Sequence, residues 1–351
     1  MSNIRRGWVV TSAAFVANFV TFGVLFSFGI FLTPIADSFD TSTGPVAPLF
    51  STAVCFYYLA GAVAGRFSDR VGVRPVVVTG AIFMTIGLIV SARASALWQL
   101  YLVYAPLVGS AVGCCYPPMI GTVGRWFEER RTAAISLVLA GVGMGTFVGP
   151  IVSRVLIDAW GWRSTLGIYA AFSAVLLVAC AIASSDAPIK PDSKQLGLSA
   201  ILRSKKFLTL YGALILGGPG FYAPLAFYND HAVSEGIGSQ AAALLVGVVG
   251  ASSVVARLII SALGDRFIPM RQYRLGQLLL LGCLFLWLSA GNSYGLFFLS
   301  ALFHGVGWAV WFTAAPNVLA TWFGVADLGG ALGTFYTALG FGALISPTDP
   351  V

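Results

Sequence analysis

Of the 351 residues, 58% are hydrophobic and only 9% are charged, against roughly a quarter charged in an ordinary soluble domain. Such a composition excludes a water-soluble globule and makes the bilayer the solvent. The net charge of +7 does not point to nucleic acid, because the basic residues sit in short clusters between apolar runs, the pattern that fixes membrane topology.

A bilayer core of about 30 Å takes roughly 20 apolar residues per helix. On that measure spans are predicted at 8–34, 45–66, 75–94, 98–121, 132–157, 164–184, 206–229, 239–262, 274–290, 294–319 and 328–347. The first is too long for a signal-peptide core and is followed by no small-residue cleavage site, so it reads as a retained membrane helix. With the N-terminus cytoplasmic, the inner segments hold sixteen basic residues and the outer loops only Arg93, Arg154 and Arg163. That asymmetry predicts a multi-pass protein of the plasma (inner) membrane. The five cysteines (Cys55, Cys114, Cys115, Cys180 and Cys283) lie in apolar runs and read as small hydrophobes. No metal-ligand spacing or disulfide framework appears, and no cofactor is expected.

The longest inner segment, 186–205, divides an N-terminal six-helix bundle (1–185) from a C-terminal bundle (206–351), and the two halves echo each other. Asp69-Arg70 recurs as Asp265-Arg266, Gly109 as Gly305 and Trp126-Phe127 as Trp322-Phe323, each 196 residues on. Gly143, Gly145 and Pro150 recur as Gly340, Gly342 and Pro347 at an offset of 197. The expected fold is therefore all-α, two six-helix bundles in parallel repeat. By the same arithmetic the sixth span lacks a partner near 360–380, so about eleven helices are expected, with the twelfth missing from a truncated product.

Between the second and third spans the chain reads Gly65-Arg66-Phe67-Ser68-Asp69-Arg70-Val71-Gly72-Val73-Arg74-Pro75. A carboxylate at a helix end, flanked by guanidinium groups, can make charge-assisted pairs with a neighbouring helix and so latch one conformation of two rocking halves. Gly65, Asp69, Arg70, Gly72 and Arg74, with Asp265 and Arg266, are the candidate latch; the plainer alternative is that the arginines only anchor topology. In the fifth span, Gly145-Thr146-Phe147-Val148-Gly149-Pro150 places small residues one turn apart and reads as a packing hinge.

Arg257 stands in the middle of the eighth span, about 12 Å from its inner end. A charge there costs at least ~2.5 kcal/mol, so it should face a watery cavity or a partner. No Asp or Glu lies deep in any span to neutralise it. An unpaired guanidinium in a central cavity is a bidentate receptor for a carboxylate; the alternative is a structural arginine satisfied by backbone carbonyls. His304, inside the tenth span, is a candidate proton carrier or anion ligand, or else a hydrogen-bonded packing residue. Asp230-His231 reads as an outer gate or a solvated helix end. Asn18, Tyr57, Tyr58, Tyr116, Tyr222 and Trp311 are candidates to line the cavity.

The 65–74 loop matches the Gly-x-x-x-Asp-Arg-x-Gly-x-Arg motif of the major facilitator superfamily, which the whole chain resembles. Arg125-Trp126-Phe127-Glu128-Glu129-Arg130-Arg131, leading into Ala140-Gly141, resembles the entry to the fifth helix in monocarboxylate-transporter-like members, and Gly7-Trp8 and Arg74-Pro75 fit that group or the oxalate–formate branch. The resemblance implies a secondary transporter of small carboxylates, with Arg257 at the eighth-helix substrate arginine. Two positions depart from it: Ser253 stands where an aspartate often precedes that arginine, and Phe26 where some members carry a first-helix lysine. Proton symport of a monocarboxylate is the first expectation, with protons and membrane lipid as the further partners. Anion exchange and a transporter-like protein that no longer transports are the rivals. With no metal cluster, nucleophile–base pair or phosphate loop, no catalytic residue is expected.

Overall fold

The protein is described here by a computed structural model covering residues 2–127, 129–187, 197–263 and 266–345. Twelve helices are described: α1 (Ser2–Phe26), α2 (Phe28–Ser38), α3 (Pro48–Val71), α4 (Val73–Ala92), α5 (Leu97–Trp126), α6 (Arg131–Ala183), α7 (Leu198–Arg203), α8 (Lys205–Ser234), α9 (Ser239–Leu263), α10 (Pro269–Leu288), α11 (Tyr294–Phe323) and α12 (Leu328–Ile345). Each predicted span overlaps one of these helices over its described residues. Among the described residues, seven helical stretches are long and apolar enough to cross a membrane. One of them, α6, has 53 residues, room for two spans.

Three departures from the sequence reading have local causes. The first span is broken into α1 and α2 at Ser27: the Ile30 N–H donates to the Ser27 carbonyl three residues back at 2.9 Å, a tighter turn that interrupts the α ladder, and the Ser27 Oγ donates to the Gly23 carbonyl at 2.5 Å. The fifth and sixth spans run on as α6, with the turn between them taken at Gly161, where φ is +74°, a conformation glycine adopts without penalty. The inter-bundle segment is not wholly loop: it contains α7, and α8 begins at Lys205 with Ser204 Oγ accepting the Phe207 N–H as an N-cap.

The repeat extends to the contacts themselves. Gly109 on α5 lies so close to α3 that an added Cβ would strike the Ala53 carbonyl oxygen, and Gly305 on α11 would strike that of Val249 on α9. Gly80 on α4 packs against Cys115, and Gly276 on α10 against Trp311. In each case glycine and partner are displaced by the same 196 residues. The backbones approach as closely as they do because these positions carry no side chain, the usual means of helix association in lipid.

Adding only a Cβ at these glycines is therefore expected to destabilise. Helix propensity favours alanine over glycine by about 1 kcal/mol, but a backbone oxygen cannot move aside, and overpacking costs roughly 1–3 kcal/mol. Gly109→Ala and Gly305→Ala should each lower the thermal midpoint of the purified protein. Gly167→Ala, where nothing lies within 4 Å of the new atom, should hold or raise it. Equal behaviour of all three would contradict the close-packed repeat.

Candidate functional site

The two halves meet along two seams, α3 with α12 and α6 with α9. On the first, Gly65 abuts the Gly329 carbonyl, Gly61 abuts Gly333, and Gly340 would meet the Tyr58 ring at 3.2 Å. On the second, Ser261 Oγ donates to the Ala133 carbonyl at 3.0 Å, and Gly143 faces Val254 and Arg257. The first contact of each seam lies near the face that carries most of the basic clusters. The later ones climb toward the middle of the helices.

At that basic face Asp69 gathers the ends of three helices. Arg125 of α5 donates from Nη1 to its Oδ1 at 2.6 Å, and the Gly330 N–H at the start of α12 donates to its Oδ2 at 2.7 Å. The pair is shielded, with side-chain exposures of 11% and 4%, so both bonds are charge-assisted in a weakly screened setting. Gly65 permits the approach of α12. Gly72, at φ +93°, ends α3 and leaves room for Asp186, whose Oδ1 accepts the Val73 N–H at 3.1 Å.

The candidate latch residues are thus sorted by the structure. Asp69 and Gly65 lie on the bundle seam. Arg74 turns instead to the end of α6, donating from Nη2 to the Ile182 and Ser184 carbonyls at 3.2 and 3.1 Å. Arg70 and Arg266 are exposed; Asp265 lies outside the described residues, as does Glu128. The sequence reading placed Arg125 in a motif but not against Asp69. Its place in the last turn of α5, among the basic residues of the same membrane face, is the hint the sequence carries. The other motif residues do meet: Trp8 packs on Phe127 at 4.9 Å, and Trp126 Nε1 donates to the Ser185 carbonyl at 2.9 Å.

Half-way up the second seam lies Arg257, 2% exposed. Its Nη1 donates to the Leu139 carbonyl of the opposite bundle at 2.6 Å, while Nε has no hydrogen-bond partner among the described residues. No described carboxylate pairs with it; the ionisable groups that influence it are Tyr116 and Tyr336. A guanidinium has five N–H donors, so one carbonyl leaves most of its capacity unused. The sequence reading offered a cavity-facing receptor or a carbonyl-bonded structural arginine. In this closed arrangement the carbonyl bond is present and the charge is not balanced.

Tyr116 of α5 stacks on Tyr336 of α12 across the interface, with centroids 5.6 Å apart and planes at 28°. Tyr57 joins from α3, 6.0 Å from Tyr116, and is in turn 4.2 Å from Tyr58. Trp311 packs beside Tyr336 at 6.4 Å. Tyr336 was missed by the sequence reading; a tyrosine at mid-depth in the last helix was its only signal. His304, 1% exposed, connects to this group through stacked rings, 5.6 Å to Trp308 and 5.5 Å from Trp308 to Phe312. Asn18 is buried and bonds back to the Ala14 carbonyl at 2.7 Å. The side chains of Tyr222 and Asp230 lie outside the described residues. His231 is 3.7 Å from Glu235 at the end of α8. Gly145 and Gly149 abut the Phe19 and Gly23 carbonyls of α1, within the N-terminal half, with Pro150 following in α6. A groove of about 540 Å³, lined by Arg5, Trp8, Val16, Leu176 and Cys180 among others, also belongs to that half alone.

Residues 14–347 match the Major Facilitator Superfamily. The chain belongs to that superfamily. It is 33% identical to human (Homo sapiens) monocarboxylate transporter 11 over 272 residues, covering 75% of this chain and 58% of that one. Monocarboxylate transporter 13 of Rattus norvegicus is 30% identical over 263 residues, covering 74% and 61%. The chain thus spans about three-fifths of the length of these curated relatives. In fold it is similar to a proton:xylose symporter (TM-score 0.71, 14% identity, covering 96% of this chain and 88% of that one) and to the E. coli fucose:proton symporter (0.64, 14%, 99% and 100%). Its relatives and fold neighbours are transporters rather than enzymes, and it is an integral membrane protein.

Proposed function

We propose that the protein is a secondary active transporter of small organic anions, in which Arg257 receives the substrate carboxylate. The observation that carries this reading is the buried guanidinium on the bundle interface, held by one backbone carbonyl of the opposite half and by no carboxylate among the described residues. A substrate carboxylate supplies what is lacking, two acceptor oxygens and a negative charge. Exchanging Leu139 for substrate would loosen the α6–α9 seam, so binding and movement are linked through one side chain. Alternating access follows as the halves rock about this midplane site. The contacts that climb from the basic face describe a state closed on that side. With the N-terminus and the basic clusters cytoplasmic, in a plasma or inner membrane, that state is closed to the cytoplasm, and the Asp69 latch holds it.

Proton symport of a monocarboxylate is the form of coupling proposed, with His304, linked by rings to the site, as the proton carrier. A specific feature favours exchange as the second reading: Ser253, not a carboxylate, stands one turn before Arg257, so a loaded return would keep the fixed charge balanced. Uptake of external labelled lactate into proteoliposomes separates them. Under symport, an inward proton gradient should raise initial uptake several-fold with no anion inside. Stimulation only by internal unlabelled anion would assign exchange. Uptake no greater than that of protein-free vesicles under both conditions would contradict carboxylate transport.

A further inference from the structure

Tyr116 and Tyr336, the ionisable groups near enough to Arg257 to act on it electrostatically, stand in two walls of rings. Tyr116 is backed by Phe22 at 5.2 Å and Tyr57 at 6.0 Å, both from its own half. Tyr336 is backed by Phe312 at 5.4 Å, from the other half. Between the walls the two tyrosines stack on each other, and both are 1% exposed. The contact therefore divides along the bundle interface, one face belonging to each half, with each face held in place from behind.

Resting on the carboxylate reading of Arg257, we infer that the site selects planar aromatic carboxylates, the acid on Arg257 and the ring between Tyr116 and Tyr336. When the halves part, this stacked pair must separate and expose two flat π-faces. A lactate-sized ligand covers neither of them. A ring attached to the carboxylate covers both, restoring on each side the stacking that was lost. Aromatic pairing adds to plain burial by an amount equivalent to about three- to tenfold in affinity.

Benzoate and cyclohexanecarboxylate make the test, because they share a carbon count and a charge and differ in planarity. The saturated ring is at least as hydrophobic, so burial alone predicts the opposite order. Equilibrium binding to the full chain in lipid nanodiscs should show benzoate tighter than cyclohexanecarboxylate by about three- to tenfold. Tyr336→Leu should abolish that preference, whereas Tyr336→Phe, which keeps the ring, should retain it. Equal binding of the two ring acids to the wild type, or a preference that survives in Tyr336→Leu, overturns the inference. Loss of lactate binding in Arg257→Gln alongside such a result leaves the carboxylate reading standing and removes only the aromatic selectivity. If all three acids bind Arg257→Gln as well as wild type, or bind neither protein, the reading fails and the inference with it.

Discussion

Arg257→Gln should abolish carboxylate uptake while leaving the folded protein as stable as the wild type or more so. The two halves of this expectation have different physical origins. Transport is lost because a bidentate guanidinium–carboxylate pair is worth about 3–4 kcal/mol in a water-poor site, which is roughly 10²–10³-fold in affinity. Stability is kept because the wild-type protein buries a charge that no described carboxylate balances, an arrangement that costs several kcal/mol. Glutamine removes the charge, and its amide can still donate to the Leu139 carbonyl. Initial uptake rates in proteoliposomes and thermal midpoints on the same preparations check both halves. A variant that lost activity by unfolding would show a lower midpoint and would assign Arg257 a structural role. Arg257→Lys should retain the fold and recover little transport, since a point charge lacks the planar fork.

The second large effect is expected at the basic face. Asp69 accepts from Arg125 and from the Gly330 N–H, so it ties α5 and α3 to the start of α12. Breaking a shielded pair of this kind costs about 3–5 kcal/mol. Asp69→Asn keeps the shape but removes the charge, and presents an N–H to one of its donors. The seam between the bundles should weaken, shifting the equilibrium toward the state open at that face by roughly 10²-fold. A reporter on the other seam avoids confusion with local damage. Ser261→Cys in a cysteine-free background, placed where Ser261 meets the Ala133 carbonyl, should react with a water-soluble maleimide about 10–100 times faster when Asp69→Asn is added. Arg70→Gln should leave the rate unchanged, because Arg70 is exposed. Faster labelling in Arg70→Gln, with none in Asp69→Asn, would give the latch to the arginine that the sequence motif suggested.

Arg257 and Arg125 differ in how much of their placement the sequence carries. Arg257 is visible in the sequence because lipid makes any mid-span charge conspicuous, and position along a helix translates directly into depth. The repeat is visible for a similar reason: Gly109 and Gly305 are fixed by backbone contacts that tolerate no Cβ, so they persist at one spacing in both halves. Partners across helices leave no such trace. Arg125 and Tyr336 lie 56 and 220 residues from Asp69 and Tyr116, the groups they touch, and their meeting depends on the rotation of each helix about its axis. In a helix apolar on all sides the sequence carries little information about that rotation. Backbone breaks divide likewise. Gly161 offers a positive φ that sequence can suggest, whereas the break at Ser27 rests on one tightened turn, Ile30 N–H to the Ser27 carbonyl, that no residue type there announces.

The central claim is that the guanidinium of Arg257 recognises the charge of a substrate carboxylate, and binding of an acid against its neutral amide tests it most directly. Benzoate and benzamide have nearly the same shape, as do lactate and lactamide. Titrating each into the full chain in nanodiscs should give saturable binding of the acids, at least about tenfold weaker binding of the amides, and acids reduced to the amide level in Arg257→Gln. Amides that bind as tightly as their acids, or acids that bind Arg257→Gln undiminished, would contradict the account at its centre.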